Sequence, residues 1–248
     1  MCIRDRLIAA ANVNDIERFI NFGEHHEADA RLLSWTADEV GNRVSAKILG
    51  EEINYRTGAQ GKHIAINSLA VLAAVSAIGA DVSAAAAALQ YWEPSSGRGK
   101  RHKINFEGGV FTLIDESYNA NPASMKAAIN TLRASQPGPE GRRIAVLGEM
   151  HELGDRSTQY HIEIAGQLAE YGIDKVFACG DHMSPMIDAL PPNVSGTYAE
   201  NSEALVAEVR NSVRPGDVLV IKGSFGTQMK RVVESLLNLS TSATTTRK

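Results

Sequence analysis

Ile114-Asp115-Glu116-Ser117-Tyr118-Asn119-Ala120-Asn121-Pro122 joins an apolar run to the start of a helix. Residues 110–115 alternate little and are mostly apolar, as a strand buried on both faces would be. Asn121 then has the side chain of an N-cap, and Pro122 suits the first helical position, where a missing N–H costs no hydrogen bond. Met125, Ala128, Ile129 and Leu132 follow at helical spacing and form one apolar stripe. A strand leading through a polar loop into a capped helix is half of a parallel β-α-β unit. The same rhythm continues downstream. Strands are expected at residues 143–147, 175–179 and 217–222, with a weaker one at 195–198. The last helix carries Met229, Val232, Val233, Leu236 and Leu237 on one stripe. Such alternation predicts an α/β fold with a mainly parallel, Rossmann-like sheet covered by helices.

Upstream the pattern differs. A short helix is expected near residues 7–19, then strands at 30–35, 43–48 and 51–56, the last two joined by Leu49-Gly50. Residues 63–79 are apolar on nearly every face, which reads as a buried helix, and a second helix follows at 82–90. Glu93-Pro94-Ser95-Ser96-Gly97-Arg98-Gly99-Lys100-Arg101 is polar and rich in breakers, the best boundary in the chain. Two domains are therefore expected, 1–95 and 96–238, with a Ser/Thr-rich disordered tail at 239–248.

Composition narrows the function. The 248 residues are 44% hydrophobic and carry a net charge of −4 with 6% aromatics, a poor basis for gripping a nucleic acid. Two distant cysteines argue against a disulfide framework or a structural zinc. No apolar run is long enough to span a bilayer, and residues 1–6 lead into no signal-peptide core. A cytoplasmic protein is expected, with neither membrane nor nucleic acid as partner.

Ligands of parallel sheets bind beyond the carboxyl ends of the strands, which marks Asp115, Glu116 and Asn119. Adjacent acids there could accept hydrogen bonds from ribose hydroxyls. A turn and a cap account for Asn121-Pro122 but not for those three together. Arg98 could serve as a bidentate phosphate ligand, although a lone linker arginine is ordinarily a solvated charge. His63 and Asn67 share a face at the start of the helix expected to be buried; a buried asparagine needs partners, which a base or the backbone could supply. Gly148-Glu149-Met150-His151-Glu152-Leu153-Gly154 lies at another carboxyl end, with no second histidine at ligand spacing, so no metal site is expected. His161 shares a stripe with Ile164, Ala165 and Leu168, as a packed core histidine would. Lys222-Gly223-Ser224 closes the last strand, where a cation and exposed backbone could meet a carboxylate. Neither Gly-x-x-x-x-Gly-Lys-[Ser/Thr] nor Gly-x-Gly-x-x-Gly occurs.

In their order these motifs resemble the Mur ligase family. The matching residues are Gly61-x-His63-x-x-x-Asn67-x-Leu69-Ala70, then Gly97-Arg98, then residues 114–125 with their Ser-Tyr-Asn-Ala-Asn-Pro string. Leu147-Gly148-Glu149-Met150-x-Glu152-Leu153-Gly154, His161 and Lys222-Gly223-Ser224 complete the series. The resemblance runs over about residues 7–237, and its Ser-Tyr-Asn-Ala-Asn-Pro string points to the branch that joins D-alanyl-D-alanine to UDP-MurNAc-tripeptide.

It implies the end of a central ATPase domain followed by a complete C-terminal ligase domain. The P-loop and the ligands for Mg2+ would lie upstream of the residues present, so this chain alone would be inactive. ATP would phosphorylate the peptide carboxylate, and the dipeptide amine would attack the acyl phosphate. The resemblance puts Arg98 on the nucleotide phosphates as the catalytic arginine, with His63 and Asn67 near the adenine. Asp115 or Glu116 would lie near the ribose, and Asn119 with them at the nucleotide. Asn121, Lys222 and Ser224 would contact the second substrate, and a monomer is implied. Ile64 and Phe225 depart from the pattern, standing where the family commonly has Asn and Arg. The alternative from another class is a Rossmann-like module that holds a nucleotide or dipeptide without turning it over.

Overall fold

The computed structural model describes residues 19–38 and 40–239. The helix expected at 7–19 falls, but for Phe19, outside them, as does the tail from residue 240 onward. The chain divides into two compact units between Glu93 and Pro94.

The first unit holds a four-stranded sheet in the order β1-β2-β3-β4, built from β1 (Phe22–Gly23), β2 (Ala30–Ala37), β3 (Asn42–Ile48) and β4 (Glu51–Thr57). β1 runs parallel to β2, and the other neighbours are antiparallel. Leu49 and Gly50 both take positive φ, the backbone twist that a two-residue hairpin requires. The helices α1 (Lys62–Ala77) and α2 (Val82–Ala88) pack on the sheet. Leu69 and Leu72 meet Leu32, Val44 and Ala46 in a dry core. Asp81 caps α2 by accepting the N–H groups of Ser83 and Ala84.

The expectation that α1 is buried all round is corrected. Ile64, Ala65, Ser68, Leu69, Leu72 and Ala73 are covered, while Val71 is 47% exposed. A single sheet face covers a single helix face, whatever the composition of the other.

The second unit is a six-stranded sheet ordered β5-β6-β10-β7-β8-β9. Its strands are β5 (Lys100–Phe106), β6 (Gly109–Glu116), β7 (Arg143–Gly148), β8 (Lys175–Cys179), β9 (Ser195–Ala199) and β10 (Val218–Lys222). All neighbours are parallel except β5, which pairs antiparallel with β6. The helices are α3 (Pro122–Ala134), α4 (Ser157–Glu170), α5 (Ser184–Asp188), α6 (Ser202–Ser212) and α7 (Lys230–Leu237). Alternate strand residues face opposite layers. Ala145, Leu147, Val218 and Val220 pack with α3 and α4, whereas Ile144, Val146, Leu219 and Ile221 pack with α6 and α7. Both faces are therefore covered, which explains why these strands read as continuous apolar runs.

The sequence reading left Lys100 and Arg101 in the boundary stretch, and the structure corrects this: both belong to β5. Ile104 faces inward while Arg101, Lys103 and Asn105 are exposed. Lysines on an edge strand mask its apolar period and also discourage pairing with other sheets. The β5–β6 hairpin turns at Glu107-Gly108, both with positive φ.

At the head of α3 the cap is reciprocal. Asn121 Oδ1 accepts the Ser124 N–H at 2.8 Å, and Ser124 Oγ accepts the Asn121 N–H at 3.0 Å. Such a cap contributes about 1 kcal/mol. The expected stripe of Met125, Ala128, Ile129 and Leu132 is buried.

Candidate active site

The carboxyl ends of β6, β10 and β7 lie side by side, with Lys222 in register with Glu116 on one side and Leu147 on the other. β6 and β7 lead into helices on one face and β10 into α7 on the other. The chain thus leaves adjacent strands in opposite directions, which opens a crevice at the carboxyl edge.

Asp115 does not present its carboxylate to that crevice. It is 0% exposed. Its Oδ2 accepts from Gly97 N–H at 2.7 Å and Ser96 Oγ at 3.1 Å, and its Oδ1 from Ser117 N–H at 3.1 Å and Ser117 Oγ at 2.6 Å. Four donors fill the lone pairs of a carboxylate. The expected ribose contact by Asp115 is therefore corrected: the group organises the loops at 96–97 and 117.

Glu116 is the acid that remains. Its side chain is 16% exposed, and its Oε2 lies 3.9 Å from Lys222 Nζ. Lys222 is 2% exposed and donates to the Asn119 carbonyl at 2.8 Å. Burial pushes the Glu116 carboxyl up, with Lys222 opposing, and pulls the Lys222 ammonium down, with Glu116 opposing. Each group favours the charged form of the other.

Arg98 is exposed and lies over the Tyr118 ring, 4.1 Å from its centroid. Phe225, 74% exposed, comes within 6.1 Å of the same ring at a tilt of 60°. Gly97, at φ +80°, allows this approach, because a Cβ there would come within 2.9 Å of Tyr118 Cβ. Three exposed side chains thus form a stack at the β6 and β10 ends.

Ser224 ties three loops together. Its N–H donates to the Glu149 carbonyl at 3.0 Å, its Oγ accepts the His151 N–H at 2.8 Å, and the same Oγ reaches the Ala120 carbonyl at 3.5 Å. Next to it opens a cleft of about 390 Å³, lined by Glu149, His151, Gly180, Ser202, Thr227 and Arg231 among others. The carboxylate of Glu149 accepts from His151 Nε2 at 3.2 Å and from the His182 N–H at 3.3 Å. Gly180 is needed beneath it, since a Cβ there would lie 2.7 Å from the Glu149 carboxyl carbon.

The structure brings Arg98, Glu116, Asn119, Lys222 and Ser224 to one edge of one sheet. Asn121 is at that edge too, but its side-chain oxygen is engaged as the α3 cap. His63 and Asn67 lie in the other unit, at the start of α1. Asn67 is exposed, so the buried asparagine read from an apolar helix is corrected; it lies on the face of α1 that the sheet leaves open. Sequence reasoning missed Tyr118, Phe225 and the Ser96 and Ser117 hydroxyls. Tyr118 sat within the decisive string itself, but an aromatic there gave no sign that it would be exposed. Ser96 and Asp115 are nineteen residues apart, and no local pattern connects them.

Comparison with known proteins shows the family. Residues 97–225 match the family described as Mur ligase, glutamate ligase domain. The UDP-N-acetylmuramoyl-tripeptide–D-alanyl-D-alanine ligase of Rickettsia prowazekii is 28% identical over 230 residues, covering 88% of this chain and 47% of the relative. The enzyme of the same name from Synechocystis is 33% identical over 180 residues, covering 71% and 38%. Among solved structures, MurF from Thermotoga maritima in complex with ADP aligns with a TM-score of 0.74 at 20% identity, over 95% of this chain and 52% of that one. MurF from Acinetobacter baumannii gives 0.72 at 23%, over 86% and 46%. The chain spans about half the length of the relatives it matches. With more than half of its residues matching the family, and with an open carboxyl edge built from the Ser-Tyr-Asn-Ala-Asn-Pro and Lys-Gly-Ser strings, the chain belongs to the Mur ligase family.

Proposed function

We propose that this chain carries the C-terminal machinery of an ATP-dependent ligase that adds D-alanyl-D-alanine to UDP-MurNAc-tripeptide. The observation that carries the reading is that Lys222, beside Glu116, and Ser224 both meet the 119–120 loop at the carboxyl edge of the sheet, in a chain whose relatives bear that enzyme's name. ATP is a substrate in this scheme, and it activates the tripeptide carboxylate as an acyl phosphate. Arg98 is exposed and has its guanidinium braced on a ring, so it is free to meet phosphate oxygens as a planar, bidentate donor. Glu116 takes the ribose hydroxyls, with Asn119 beside it. Lys222 and Ser224 orient the incoming dipeptide, and Asn121 holds the α3 start against them. By the family resemblance alone, His63 and Asn67 are assigned to the adenine. When bound, Mg2+ would supply charge neutralisation on the phosphates, and the resemblance puts its ligands in the part of the family that this chain does not span. The same reading implies a monomer working in the cytoplasm on small molecules, without nucleic acid or membrane. Among the described residues, no helix is long and apolar enough to cross a bilayer.

The test is a titration of the 15N-labelled chain. D-alanyl-D-alanine should shift the Ser224 and Lys222 amides, and ADP should shift those of Arg98, Glu116 and Tyr118. Ligation by the 248-residue chain alone should be undetectable. Shifts with ADP and none with dipeptide would favour a nucleotide-holding module over a ligase domain.

A further inference from the structure

We propose that His161 is a positioning residue for this site, its Nε2 lone pair holding the 149–151 loop, and through it Ser224, in place. The proposal rests on the reading of Ser224 as a contact for the incoming dipeptide.

His161 lies on α4, wholly buried. Its Nε2 accepts the Met150 N–H at 2.8 Å. A backbone amide can only donate, so Nε2 must be bare, and the ring proton must sit on Nδ1. That atom lies 2.7 Å from the Ser157 carbonyl, which can only accept. The two contacts fix one neutral tautomer. The residues flanking Met150 are bound as tightly. Glu149 accepts the Ser224 N–H through its carbonyl, and His151 donates its N–H to Ser224 Oγ. Three consecutive residues are thus pinned from two sides, His161 below and Ser224 above. Glu149 and His151 turn their side chains into the cleft. Loss of the acceptor would leave a buried N–H unpaired and free the middle of this clamp.

The surroundings keep the ring neutral. The His182 ring stacks on it at 5.7 Å and 19°, and His182 Nδ1 is itself engaged by Thr158 Oγ at 3.1 Å. Burial, His182 and His151 pull the His161 titration down, while the Ser157 carbonyl and Glu149 oppose them. A proton on Nε2 would point at the Met150 N–H and expel the loop.

The experiment uses the 15N-labelled 248-residue chain. Long-range imidazole correlations near pH 7.5 should show His161 protonated at Nδ1 and bare at Nε2; a proton on Nε2 overturns the proposal. His161→Phe removes the acceptor and should speed amide exchange at Met150 and His151 by about tenfold, with Val176 in β8 little changed. His161→Gln, whose amide oxygen can stand where Nε2 stands, should restore most of the protection. Unchanged exchange in His161→Phe, or equal acceleration everywhere with no rescue by Gln, overturns it. Where His161→Phe fails to fold, the wild-type tautomer and the Gln variant still decide. D-alanyl-D-alanine should shift the His151 and Ser224 amides in wild type and His161→Gln more than in His161→Phe. A dipeptide that shifts neither amide in wild type, with tautomer and exchange as expected, overturns the dipeptide reading and leaves the positioning of the loop standing.

Discussion

Gly97 donates its N–H to Asp115 Oδ2 at 2.7 Å, while the Asp115 carbonyl accepts the Gly99 N–H at the same distance. One residue at the end of β6 thus grips both sides of Arg98 without touching it. Acids at the end of a parallel strand suggest ligand contact, but this one is wholly consumed by its own loops.

Asp115→Ala should therefore act on stability first. It strands buried donors on Gly97 and Ser117, at a cost of about 2–4 kcal/mol. Urea unfolding of the 248-residue chain measures it. A loss below about 0.5 kcal/mol would show that the loop does not depend on this carboxylate.

Glu116 gives a pH signature of the opposite kind. Burial raises its pKa above the unfolded value of about 4.3. The folded protein then binds more protons than the unfolded chain between those two values, so stability falls as pH rises through that window. In Glu116→Gln this contribution is absent. The difference in unfolding free energy, wild type minus variant, should decline from pH 4 upward and then level off. A difference that rises with pH would mean that Lys222 outweighs burial.

The contrast between Asp115 and Glu116 marks how far the sequence could be read. The α3 cap, the buried stripes and the strands of the parallel sheet were legible, because capping and periodicity are local. β5 was not: Lys100 and Arg101 looked like linker until pairing with β6 gave them a face. Asn67 was misread because composition cannot say which side of α1 the sheet covers. Asp115 and Glu116 are neighbours with identical chemistry. Only contacts with Ser96 and Lys222, from distant parts of the chain, separate the structural acid from the one that faces the crevice.

Pairing of β5 also sharpens where the chain can be cut. Glu93 is exposed and precedes the loop, whereas Arg101 is committed to a strand. Trypsin should cut after Arg98, exposed in that loop, well before Arg101. Mass spectrometry of the first fragments checks the order. Early cleavage at Arg101 would mean that β5 frays from the sheet.

His161 predicts an acid-sensitive fold. Its titration lies below the unfolded value of about 6.5, so below that pH the unfolded chain takes up a proton that the folded one refuses. The stabilising contribution is complete above about pH 6.5 and is lost as pH falls toward the folded value. Thermal unfolding of His161→Gln against wild type, from pH 7.5 to 5, should show the gap narrowing as the solution becomes acid. A gap independent of pH would mean that the ring titrates in the folded protein as it does in the unfolded chain.

Arg98 should behave in the reverse manner to Asp115, with little effect on the fold and a large one on turnover. Its guanidinium is exposed, and its stacking on Tyr118 is worth about 0.5–1 kcal/mol at such a site. In a protein joining this chain to the upstream half that its relatives possess, Arg98→Ala should lower kcat by roughly 10²-fold, if it meets charge developing on the transferred phosphoryl group. Arg98→Lys should recover only part of this, because an ammonium cannot reproduce the planar fork or lie flat on the ring. Tyr118→Leu removes the brace but not the charge, and should give an intermediate loss that appears mainly in kcat. If Arg98→Ala and Arg98→Lys were both as active as wild type, the arginine would be a solvated charge resting on an aromatic ring. The nucleotide reading of this edge would then rest on Glu116 and Asn119.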